Sequence, residues 1–189
     1  PKLKVLTYFW DSVKNRKKSL EYLAYSNKFF SFDLKDAEAD IRIEFLPLFY
    51  IDDYKNIANI ENELVYDISF IGTVHSDRYK IIKKIEEQAK ELNLKTYSYF
   101  YSPNKILFFF QKLFKKDFKY IKWKDVSFKS LNKSDVINII EKSKCIIDIQ
   151  HPKQTGLTIR TIEMLGGKKK LLTTNIEIMK YDFYNTDNI

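Results

Sequence analysis

A single cysteine, Cys145, excludes an internal disulfide framework, and its neighbours Ile146 and Ile147 mark it as a buried thiol rather than a nucleophile. A reducing cytoplasm fits that usage. Only four glycines and four prolines interrupt the 189 residues, so composition marks no flexible linker and gives no sign of disorder. No apolar run reaches the ~20 residues needed to span a bilayer, and the N-terminus lacks a signal-peptide pattern. Any membrane contact is therefore expected to be peripheral. There is no DxD triplet and no His/Cys cluster at metal-ligand spacing, so neither a metal nor a cofactor is expected.

What is present describes a globular chain: 44% of residues are hydrophobic, 31% are charged, and the formal net charge is +8. Such a surplus favours nucleic acid, an anionic membrane or phosphorylated ligands. Lysine supplies most of it, however, alongside abundant Ile, Asn, Tyr and Phe. An AT-rich genome produces that bias unaided, and lysines solvating helix faces are the plainer account. The start at Pro1 and the stop at Asn188-Ile189, just after another unit begins, predict a segment of a longer protein.

Strands and helices alternate along the chain. Lys4–Phe9, Lys28–Phe32 and Ile43–Leu46 have the β-branched and aromatic content of short strands, with a helix through Leu20 and Tyr25 capped by Asp11 or Ser12, and a helical turn at Asp36–Asp40. A polar connection around Asp52–Glu63 follows. Asp67–Gly72 is the next strand, leading to a helix from Asp77 to Leu92 capped by Ser76 or Asp77, with Ile81, Ile82, Ile85 and Ala89 on one face. Then come a strand at Leu94–Tyr101, a helix opened by Ser102-Pro103 with Ile106, Leu107, Phe110, Leu113 and Phe114 as its apolar positions, an extended Val126–Phe128, a helix opened by Asn132 or Ser134, and a strand at Cys145–Ile149. A helix at Thr158–Leu165, stopped by Gly166-Gly167, and a strand at Leu171–Thr174 complete the series. This order predicts an α/β fold with Rossmann-like parallel sheets. Residues 1–60 read as the tail of an incomplete N-terminal domain, and residues 61–189 as most of a second one.

Ligands of open parallel sheets gather at the carboxyl ends of the strands. Two loops there carry chemistry. In the first, Gly72 permits close backbone approach, Thr73 offers a hydroxyl, His75 an imidazole and Arg78 a fixed charge at a helix N-terminus suited to phosphate. In the second, His151, Gln154 and Thr155 precede Gly156, with Thr158 and Arg160 in the first helical turn and Glu163 three residues further on. A carboxylate so placed accepts two ribose hydroxyls while Arg160 and the loop hold a diphosphate. The plain alternative is an Arg160–Glu163 surface pair worth about 0–1 kcal/mol.

The segments YDISFIGTVHSDRYK and Ser143–Asn175, with YFWDS and FLPLFY earlier, resemble the bacterial GT-B glycosyltransferases that build capsular and lipopolysaccharide chains, nearest to those with a CgeB-like C-terminal domain. The resemblance covers nearly the whole chain. It implies two facing Rossmann-like domains with the nucleotide-sugar donor held by the second, Glu163 at the ribose, Thr158 and Arg160 at the phosphates, and Gly72, Thr73 and Arg78 in the other phosphate-facing loop. The second glutamate of the family's E-x7-E pattern is missing, since Thr155 and Leu171 stand eight residues either side of Glu163. The retaining mechanism linked to that pattern is not implied.

An inverting transfer needs a general base, for which His75 and Asp11 are the candidates. Each also has a structural account, His75 as a phosphate contact and Asp11 as a helix cap. The run Phe108–Lys124, FFFQKLFKKDFKYIKWK, reads as a core-facing aromatic stripe with solvated lysines. Contact with the inner membrane surface is the second reading, and nucleic-acid binding, which no RNA-binding signature or zinc-finger pattern supports, is the third. The resulting expectation is a cytoplasmic, metal-independent glycosyltransferase segment acting from a nucleotide diphosphate donor onto a surface polysaccharide or lipid-linked saccharide. A non-catalytic nucleotide or phosphosugar-binding module is the alternative, followed by a basic nucleic-acid-binding protein.

Overall fold

The computed structural model of the chain describes residues 3–60, 62–152 and 154–189. Two sheets form, both wholly parallel. The first contains β1 (Leu6–Phe9), β2 (Lys28–Ser31) and β3 (Ile43–Phe45) in sequential order. The second contains β4 (Tyr66–Thr73), β5 (Thr96–Tyr101), β6 (Val126–Ser127), β7 (Ser143–Asp148) and β8 (Lys170–Thr173), in the order β6-β5-β4-β7-β8. Counted from β4 this is 3-2-1-4-5, the Rossmann order, and its direction reverses between β4 and β7. The α/β expectation with Rossmann-like parallel sheets holds.

Connections between the strands of the first sheet are an eight-residue 3-10 helix at Lys17–Ala24 and α1 (Leu34–Ala39). Between the sheets lies α2 (Asp52–Ile57), and α3 (Arg78–Glu91), α4 (Lys105–Phe114), α5 (Lys116–Lys119), α6 (Lys133–Glu141) and α7 (Ile159–Gly166) serve the second. Alternation along β7 feeds both faces of that sheet. Ile147 joins Phe70, Ile82, Phe100 and Phe108 on one side, while Ile146 joins Ile140, Ile162, Met164 and Leu171 on the other. Burial of both faces is why β7 carries consecutive apolar residues at Ile146 and Ile147. Tyr54 and Ile57 of α2 are buried in the second of these cores, so the connection predicted as polar contains a helix packed on α6 and α7.

Several local expectations change. Neither Asp11 nor Ser12 caps the helix after β1: the Asp11 carboxylate accepts from Asn15 and Arg16, and the Ser12 hydroxyl donates to Asp33 at 2.5 Å. Of Ser76 and Asp77, the second stands at the N-cap of α3. Ser76 adopts a left-handed conformation (φ 47°), and Asp77 occupies the cap position without a side-chain hydrogen bond. The helix predicted from Ser102-Pro103 starts two residues later, where the Asn104 side chain accepts from the amides of Ile106 and Leu107. After α7 it is Lys168 (φ 50°), not a glycine, that turns left-handed. Gly166 is needed for another reason: a Cβ there would lie 2.5 Å from the Tyr50 ring.

The two sheets meet through contacts distant in sequence. Gly156 packs so closely on Phe32 that a Cβ would lie 2.6 Å from the ring. Thr155 donates to the buried Asp33 carboxylate at 2.7 Å, Lys35 pairs with Glu177 at 2.7 Å, and the Phe45 and Tyr181 rings meet edge to face.

Candidate functional site

The carboxyl edges of the two sheets face each other across a cleft of about 320 Å³. One wall comes from residues just beyond the strands of the first sheet: Trp10 after β1, Phe32 after β2 and Leu48 after β3. The other comes from the reversal of the second sheet, with Thr73 ending β4, His75 and Arg78 following it, and His151, Gln154, Thr158 and Ile159 following β7. Six residues singled out in the sequence are thus brought together. A crevice at this topological switch point is where open α/β sheets bind ligands.

Arg78 is the dominant charge in the cleft. It is only 9% exposed, yet it forms no ion pair among the described residues. Its Nη1 donates to the Thr73 carbonyl at 3.0 Å, its Nη2 donates to the Ile149 carbonyl, and its Nε is buried without a hydrogen-bond partner. The guanidinium thereby ties the ends of β4 and β7 together. Burial lowers its pKa, with Asp148 and Asp77 acting at longer range in the opposite sense. Gly72 leaves room for this residue: a Cβ there would meet the Phe70 ring at 2.8 Å and Arg78 Nη1 at 3.1 Å.

Beside Arg78 the rings of His75 and His151 lie 5.0 Å apart, and His75 Nδ1 contacts the Ser76 hydroxyl at 3.0 Å. Burial, with the charges of Arg78 and His151, pushes the His75 pKa down to about 4 from 6.5. The unfolded chain therefore binds a proton that the folded one refuses between those values, and stability falls as pH drops from 6.5 towards 4. A series of urea midpoints across this window is expected to decline more steeply for the wild type than for His75→Gln. Parallel slopes would place His75 in water.

The N-terminal turn of α7 is fixed by Asp148, the buried last residue of β7, which accepts from the hydroxyls of Thr158 (2.5 Å) and Thr161 (2.9 Å). Thr158 also caps the helix through the Thr161 amide. Its hydroxyl thus holds the turn in place while the residue lines the cleft. Thr155 and Gly156 join the two sheets and do not line the cleft.

Arg160 and Glu163 stand apart as well. They form an ion pair at 2.9 Å in which the N–H is not aligned on the oxygen, and both interact with the Tyr54 hydroxyl of α2. Burial raises the Glu163 pKa, opposed by Arg160. Tyr54 is pushed up to about 12 by burial and by Glu163. Neither residue is a cleft wall. Asp11 likewise lies outside it, paired with Arg16 at 3.0 Å.

The aromatic wall of Trp10 and Phe32, the anchoring carboxylates Asp33 and Asp148 and the Tyr54 contact were not anticipated. The signal for the wall was a large apolar residue at the end of each strand of the first sheet. No protein-family model matches the chain, and no curated protein matches it.

Proposed function

We propose that the cleft binds the diphosphate of a nucleotide sugar and that the chain serves a GT-B-type glycosyltransferase acting on a surface polysaccharide or lipid-linked saccharide. One observation carries the reading: two parallel sheets oppose their carboxyl edges at the β4/β7 switch point, with an unpaired buried arginine and a helix N-terminus on one wall and aromatic rings on the other. Arginine and the α7 dipole stabilise a departing diphosphate electrostatically. Trp10 and Phe32 offer faces on which a base or sugar ring stacks. His75 is the candidate base inside the cleft. It is neutral when the cleft is empty, and the negative charge of a bound phosphate raises its pKa towards the range of an effective base.

Calorimetric titration with a panel of nucleoside diphosphates tests the reading. Saturable binding is expected, absent for the nucleosides alone, with proton uptake below pH 6.5 as His75 gains its charge. No saturable binding of any diphosphate would end the proposal. Release of free nucleotide from a bound nucleotide sugar separates the transferase from a non-catalytic binder. Glu163 reaches a ribose only by leaving Arg160 and Tyr54, so Glu163→Gln reports on ribose recognition separately from phosphate binding.

A further inference from the structure

The face of α4 that the sequence assigns to the core points the other way. Phe108 alone is buried, in contact with the rings of Phe118, Trp123 and Phe128. Ile106, Phe110, Leu113 and Phe114 fall at i, i+4, i+7 and i+8, which makes one stripe, and they are 68%, 50%, 52% and 79% exposed. Leu107 and Phe109 widen it. The Phe110 and Phe114 rings stack on each other with no core residue over them among the described residues.

The surrounding charge is predominantly positive. Residues 105–124 carry seven lysines against Asp117, a net +6 within a chain of net +8. Lys112 is tied to the carbonyls of Phe118, Lys119 and Ile121. Lys115, Lys116, Lys119, Lys122 and Lys124 are exposed.

We infer that this surface docks on an anionic lipid bilayer, with α4 lying in the plane of the interface. An apolar stripe bordered by lysines is the pattern of an in-plane amphipathic helix, whose apolar face enters the acyl boundary while the cations meet the headgroups. Ten residues make a helix of about 15 Å, half of what a bilayer core requires. No helix among the described residues is long and apolar enough to cross a membrane. A second copy of the chain is a poor occupant, since joining two such stripes face to face brings two clusters of net +6 together. The inference is independent of the nucleotide-sugar reading.

Sedimentation of the full chain with vesicles of phosphatidylglycerol and phosphatidylcholine in equal parts is the test. The chain is expected to partition onto them, to be released by salt, and to leave pure phosphatidylcholine vesicles largely bare. The double variant F110S/L113S should weaken partitioning about tenfold through lost apolar burial. K115Q/K119Q should weaken it about 25-fold, at about fivefold per lysine. Both variants alter exposed side chains, so their thermal midpoints should match the wild type. Failure to bind anionic vesicles, or wild-type binding by F110S/L113S or K115Q/K119Q, overturns the inference. So does a wild-type dimer in sedimentation velocity that F110S/L113S dissociates without any effect of vesicles.

Discussion

Replacing Phe108 with alanine is expected to lower the free energy of unfolding by about 3–5 kcal/mol, whereas Phe110→Ala, two residues along the same helix, should change it by less than about 0.5 kcal/mol. Phe108 is fully buried and meets three aromatic rings, with centroid separations of 6.0 Å to Phe118, 4.9 Å to Trp123 and 5.7 Å to Phe128. Truncation removes its own transfer free energy and leaves a cavity that three rigid rings cannot collapse to fill. Phe110 is 50% exposed, and its ring contacts are with Phe109 and Phe114, themselves exposed. Urea unfolding followed by fluorescence measures both. Equal losses would mean that the outer face of α4 is packed, removing the basis for the lipid-docking surface as well.

A second large effect belongs to Arg78. Arg78→Met should reduce nucleoside diphosphate affinity by about 10- to 150-fold, the range for losing a hydrogen bond to a charged group of about 1.5–3 kcal/mol. The same variant should lower stability, because the carbonyls of Thr73 and Ile149 lose their donor where β4 and β7 part. Arg78→Lys is not expected to restore either property, since one ammonium cannot span two carbonyls as the planar fork does. Comparing affinity by calorimetry with the urea midpoint for both variants separates ligand contact from scaffold. Undiminished affinity in a destabilised Arg78→Met would assign Arg78 to the scaffold alone.

The strands were legible because β-branched and aromatic runs bounded by polar turns have few other uses, and the helices of the second sheet because period-3.6 spacing recurs in α3, α6 and α7. The six-residue α2 was not, since its sequence is mostly polar and only tertiary contact with α7 reveals Tyr54 and Ile57 as core residues. In α4 the spacing was read correctly and its direction was not. An apolar stripe has the same period whether it meets protein or lipid, and Phe108, the true core residue, lies off it. At the cleft, the loops after β4 and β7 were visible in their Gly, Thr, His and Arg content. Which polar groups remain for a ligand was not, because Thr155, Thr158 and Glu163 are engaged by Asp33, Asp148 and Arg160, and the Thr155 contact bridges 122 positions in sequence.

That last contact has a kinetic consequence. The first sheet is held to the second by Thr155–Asp33 and Lys35–Glu177, across 122 and 142 positions, while the strand pairs of the second sheet close over 25 to 77 positions. Closing a long loop costs entropy before its contacts return any stabilisation, so docking of the first sheet comes late in folding. The cleft, whose two walls belong to different sheets, is the last feature of the molecule to take shape, and ligand binding should appear only after the near-native fluorescence of the second sheet has been reached.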